Sequence, residues 1–212
     1  MSASEAGAVN PAAEMTGAAV RSRTLDDRLT LVAIRMTYVS LTFFFASFYF
    51  GQVYLQLINE HGMWKPKGVD HPAIALGALE LGLVLASGLV YFWGQWAGLY
   101  TRNFTRLHLG LWVAALLGAL AVIPHVIELH HPGFSLQAGG YASVFIAIEG
   151  VYTPLLVVAV IALLGVANRS RLGLFRESGI AIEVFGEFWG WMCAIALLNF
   201  LALYVQPFFP IA

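Results

Sequence analysis

Charge is what this sequence has least of. Only 11% of its 212 residues are Asp, Glu, Lys or Arg, while 59% are hydrophobic; a water-soluble domain carries about 25% charged side chains. That is too little polar material to cover a surface in water. With a mean hydropathy of +0.77, the solvent around the chain is largely lipid. The net charge of −1 excludes the basic footprint of a nucleic-acid-binding protein. Cysteine is scarce too. The single Cys193 excludes an intrachain disulfide framework and a multi-cysteine zinc site, and within its apolar run it reads as a small buried apolar residue. No Gly-rich phosphate loop opens a helix and no Ser, His and acid constellation stands out, so nucleotide, kinase and hydrolase chemistry lack their signatures. A secretory signal pattern is also missing: residues 1–20 are small, polar and rich in Ala and Gly, without a basic stretch followed by a compact apolar one. Residues 1–28 are expected as a disordered cytoplasmic tail, leaving targeting to the first membrane helix and residues 29–212 as one domain.

What is present is long apolar runs. A membrane helix needs about 20 mostly apolar residues, and five segments qualify: Arg35 to Ile58, Pro72 to Trp96, Thr105 to Leu129, Tyr141 to Ala167 and Ile180 to Val205. Their length and continuity, without alternation of polar and apolar residues, mark helices rather than barrel strands. The connections are short and hold turn residues such as Gly62, Pro66, Gly68, Gly139 and Gly140. The expected fold is therefore all-α, a bundle of five transmembrane helices.

Lys and Arg set the orientation. Arg21, Arg23, Arg28, Arg35, Arg102, Arg106, Arg169, Arg171 and Arg176 fall on the side of the amino terminus, against Lys65 and Lys67 on the other. By the positive-inside rule the N-terminus is expected in the cytoplasm and the C-terminus outside. Trp64, Trp93, Trp96 and Trp189 lie near helix ends, as in an interfacial aromatic belt. Small residues recur at helical spacing on two helices, as Ala78, Gly82 and Ala86 and as Gly110, Ala114 and Gly118; such stripes let helices approach closely.

The ionisable residues inside the spans carry the functional question, because a charge in hydrocarbon costs several kcal/mol (~2.5–3.5 for Asp on the mildest scale). Glu80 and Glu149 each lie eight residues into their helices from the outer side, about 12 Å deep. His125 and Glu128 are near the outer end of the third span. Glu80, His125, Glu128 and Glu149 are thus expected as an interhelical polar cluster. Glu183 and Glu187, spaced by four, share one face of the fifth helix near its cytoplasmic end. A metal site from Glu80, His125 and Glu149, or from His125, Glu128, His130 and His131, and an ion or proton pathway are the other readings these residues leave open. His108 and His125 sit near opposite ends of one helix, which is not the arrangement of a bis-histidine haem. No catalytic, cofactor-binding or metal-ligating residue is assigned.

Several segments together resemble subunit III of the haem–copper oxidases, in the five-helix form without the family's first two helices. They are YVSLTFFFASFYF (38–50), LVLASGLVYFWGQWA (83–97), AVIPHVIEL (121–129), GGYASVFIAIEGVYTPLLVV (139–158) and EFWGWMCAIALLNFLALYV (187–205). Glu128, Gly150 and Trp189 keep the family type. Other positions depart from it: Leu41 stands where the family has a buried Glu, Tyr152 and Leu155 where it has His, Glu149 where it has Thr, and Gly190 and Cys193 where it has His and Asp. The roles attached to those family residues do not carry over. The resemblance implies a non-catalytic accessory subunit of a terminal oxidase in aerobic respiratory electron transport, multi-pass in a bacterial inner membrane. It would pack on the catalytic subunit I and bind phospholipid, with haem and copper in partner subunits. A subunit III-like component of a nitric oxide reductase complex is one alternative, and a stand-alone ion or proton transporter working through the intramembrane Glu and His residues is another.

Overall fold

The computed structural model describes residues 11–58, 62–66, 72–135, 137–175 and 179–208, with backbone alone for 11–27 and 208. Lys67, Arg176 and residues 1–10 of the expected tail lie outside them. Among the described residues every regular element is a helix, with no strand. The helices are α1 (Pro11–Leu57), α2 (Ile74–Leu99), α3 (Phe104–His130), α4 (Gly140–Arg171) and α5 (Ile180–Phe200). Each is long and apolar enough to cross a membrane, α1 over Arg28–Leu57. The backbone is helical from Pro11, so residues 11–28, expected as tail, continue the first membrane helix. The other boundaries fall within a few residues of those expected.

The seam between α2 and α3 is a close one. Gly94 and Gly110 face each other, and a Cβ on Gly110 would meet Gly94 Cα at 2.8 Å. Ser87 adds a hydrogen bond from Oγ to Ala114 O at 2.8 Å. The turn between the two helices places Arg102 at φ 52°, and the Asn103 side chain caps α3 by accepting from the Arg106 N–H at 3.0 Å. Gly110 and Ala114 are buried, as their stripe requires, and Gly118 packs on Trp189. The α2 stripe of Ala78, Gly82 and Ala86 does not behave so. Ala78 and Gly82 are exposed, and a Cβ on Gly82 would meet nothing within 4 Å. The buried face of α2 is instead Gly77, Glu80, Val84, Ser87, Gly88, Tyr91, Gly94, Ala97 and Gly98.

Two of the four belt tryptophans are also core residues. Trp189 is fully buried and stacked on Phe185, and Trp64 is buried edge-on against Tyr141. Trp93 and Trp96 are exposed, as a belt requires. Trp64 O and Met63 O accept from the N–H groups of Tyr141 and Gly140, which seats the loop 62–66 on the start of α4. Gly139 makes this possible with φ 126° and no Cβ, which would otherwise lie 2.6 Å from Pro66 Cδ. Cys193 packs into the gap left by Gly88 and is partly buried.

Helix α4 is continuous through Pro154, and α3 through Pro124. Past Phe200, α5 widens into a π-helical turn, Leu201–Val205, followed by a short 3₁₀ turn. Two of the widened turn's carbonyls are taken by side chains. Gln52 of α1 donates to Ala202 O at 2.6 Å, and Tyr141 of α4 donates to Leu203 O at 2.7 Å.

Candidate functional site

Lipid cannot satisfy polar groups, so polar side chains that enter the spans must find each other. Glu80, His125 and Glu149 do, from three helices. His125 is 3% exposed, Glu80 7% and Glu149 5%. His125 Nδ1 lies 2.9 Å from Glu80 Oε2 and 3.5 Å from Glu149 Oε2, so one ring nitrogen faces two carboxyl groups. On its other side, His125 Nε2 lies 2.7 Å from Thr153 Oγ1.

Hydrogen-bond directions follow from that geometry. The Thr153 hydroxyl donates to Glu149 O at 2.6 Å, the carbonyl one turn back along α4. Its one proton is thereby used, and the hydroxyl oxygen accepts from His125. Nε2 therefore carries hydrogen. A further proton lies between Nδ1 and Glu80 Oε2, since neither atom can bond to the other without one.

Glu128, one turn after His125 on α3, enters the same assembly and is 3% exposed. It hydrogen-bonds the hydroxyl of Tyr204 in the π-helical turn, and its Oε1 has no partner. Asn199 of α5 receives the Tyr49 hydroxyl of α1 on Oδ1 at 2.5 Å. All five helices thus contribute polar side chains to one buried region. The four residues that sequence depth brings together do come together; Thr153, Tyr204, Asn199 and Tyr49 are additions that no depth or spacing rule singles out. Tyr152, where the resembled family has His, packs its ring edge-on to His125 with centroids 5.5 Å apart.

The other candidates lie elsewhere. Glu187 is bound by Arg35 of α1 at 2.9 and 2.5 Å and by the Tyr38 hydroxyl at 2.9 Å. Glu183 is exposed in the first turn of α5. His130 and His131 are exposed, away from the buried His125. His108 pairs with Ser170 at 3.0 Å at the opposite end of α3. Gly150 is exposed with open space beside it, whereas Trp189 is in the core. Among the described residues, no three His, Cys, Asp or Glu side chains are arranged to hold a metal ion.

The chain shares detectable sequence with cytochrome c oxidase subunit 3 of Thermostichus vulcanus, 22% identical over 156 residues, which cover 72% of this chain and 76% of the relative. No protein-family model matches the chain. The chain is a multi-pass membrane protein with a distant similarity to an oxidase subunit III.

Proposed function

We propose that the chain is a subunit III-like, non-catalytic accessory subunit of a membrane-bound haem–copper terminal oxidase. The observation that carries this reading is the similarity to a cytochrome c oxidase subunit 3 along 72% of the chain. The five-helix architecture is compatible with it. In this reading the redox groups, haem and copper, belong to partner subunits. This chain packs on the catalytic subunit, contacts phospholipid over its outer faces and sustains turnover in the respiratory chain. It sits in a bacterial cytoplasmic membrane, N-terminus inside by the arginine bias.

The polar cluster then has a structural task. It fixes the register of helices whose apolar surfaces alone would slide, because lipid tails solvate Leu as well as another helix does. The exposed apolar side chains agree with a body that meets lipid or other membrane chains around most of its girth; Phe43, Phe50 and Leu89 are each more than 70% exposed.

Native mass spectrometry of the gently solubilised complex tests the reading. The expected result is this chain in stoichiometric association with haem-bearing chains, with loss of its stability when they are removed. A chain that purifies alone and catalyses an ion-dependent flux, lost on Glu80→Gln or Glu149→Gln, is instead a transporter.

A further inference from the structure

Between α2, α4 and α5, beside the paired carboxyl groups, lies a cavity of about 10 Å³ whose walls include Glu80, Glu149, Asn199 and Tyr204. That is the room needed by one water molecule. Asn199, 3% exposed, is spoken for on Oδ1 by Tyr49, but its Nδ2 has no partner. A buried amide donor without an acceptor is costly, and here it belongs to a residue in the wall of a water-sized cavity that two carboxyl groups also line. An unpartnered N–H₂ group on a lining residue calls for an oxygen and repels a bare metal cation.

Charge gives the second half of the inference. The group that ion-pairs with both Glu80 and Glu149 is the single imidazole of His125, which carries at most one positive charge. Two ionised carboxylates would leave an uncompensated charge in a region screened from water. The other titratable groups facing the pair are acids: Tyr49 from α1, Glu128 from α3, Tyr141 and Tyr152 from α4, and Tyr204 from the π-helical end of α5. Lys65, in the loop before α2, stands over the far ring of Tyr141 at 5.5 Å.

We propose that this cluster is a proton-binding site. One water molecule fills the cavity, accepts a hydrogen bond from Asn199 Nδ2 and donates to a carboxyl oxygen, and the Glu80–Glu149 pair holds one exchangeable proton that enters and leaves through that water. His125 orients the pair from Nδ1 and is itself held by Thr153. The step is a proton transfer between a carboxyl group and water and needs no other reactant. It goes beyond the accessory role and does not depend on the identity of the parent complex.

Infrared difference spectroscopy of the full chain in lipid nanodiscs, together with the chains it co-purifies with, tests it, comparing wild type with Glu80→Gln, Glu149→Gln, Asn199→Leu and Glu183→Gln. A protonated carboxyl stretch that shifts in D₂O is expected in the wild type. It is lost in Glu80→Gln or Glu149→Gln and untouched in Glu183→Gln. In Asn199→Leu, whose methyl groups fill the cavity, the band persists but exchanges more slowly. A wild type without an exchanging carboxyl band overturns the proposal. So does a band that survives both Gln variants, an Asn199→Leu variant that exchanges as fast as wild type, or a band that emerges only when sodium is withdrawn.

Discussion

Arg35 of α1 and Glu187 of α5 join through two hydrogen bonds, 2.9 and 2.5 Å long, across 152 residues of chain. They are the first rung of a polar ladder between two parallel helices. Trp191 Nε1 donates to Thr42 Oγ1 at 2.8 Å, Tyr49 reaches Asn199, Gln52 reaches Ala202 O, and Gln206 donates to Gln56. On α1 the contributing positions 35, 38, 42, 49, 52 and 56, with the fully buried Phe45, step alternately by three and four residues. That is the seam of a left-handed helix pair, built here largely from polar side chains.

The first rung predicts a charge-dependent hold on α1. Arg35→Ala and Glu187→Gln should each lower the detergent melting temperature and raise proteolysis near the start of α1. Tyr38→Phe, which removes one of the bonds to Glu187, should do less. The swapped pair Arg35→Glu with Glu187→Arg should recover part of the loss. A swap no better than either single change would mean that the pair is incidental.

Glycine substitutions should sort by what lies opposite. A Cβ on Gly110 or Gly94 would meet backbone of the facing helix at 2.8 or 3.1 Å, and backbone cannot step aside as a side-chain tip can. Gly110→Ala should cost ~1–3 kcal/mol, the range for overpacking. Gly82→Ala and Gly150→Ala meet nothing within 4 Å and should be neutral or gain up to ~1 kcal/mol from helix propensity. Equilibrium unfolding in mixed micelles measures all four. Equal effects at Gly110 and Gly82 would refute the close α2–α3 seam.

Glu149 should tolerate an amide better than a hydrocarbon. Glu149→Gln keeps the shape and hydrogen-bonding capacity, and assembly with partner chains, read by co-purification yield, should stay near wild type. Glu149→Leu leaves His125 without one of its two facing carboxyl groups and should weaken the bundle by ~1–2 kcal/mol, the scale of interhelical hydrogen bonds in membranes. Equal loss of assembly with both would show that the charge, rather than the hydrogen bond, is what matters.

The helices were legible because twenty apolar residues have one meaning in this composition. The meeting of Glu80, His125 and Glu149 was legible because helix rise turns residue number into depth. Depth says nothing about facing, however. Trp64 lies just before a helix yet points into the core, Trp189 sits mid-way along α5 rather than at its end, and the stripe at Ala78, Gly82 and Ala86 lies one step of ~100° around the helix from the face that α2 buries. Arg35 is a basic residue near a membrane boundary, which reads as an orientation signal until Glu187 is found beside it. The π-helical turn has no residue signature at all: its extra residue is held in place by Gln52 and Tyr141, which are distant in sequence.

That turn supports a last prediction. Its Ala202 and Leu203 carbonyls depend on side chains from α1 and α4. Removing one hydrogen bond of ~1 kcal/mol should speed local opening about fivefold. Tyr141→Phe should therefore raise hydrogen exchange across 201–208 by that factor, and Gln52→Leu, which also removes a bond to Gln206, by at least as much. Exchange along the α2–α3 seam, where neither side chain reaches, should stay at the wild-type rate. Faster exchange spread evenly over all five helices would mean that these residues stabilise the bundle as a whole and not the widened turn.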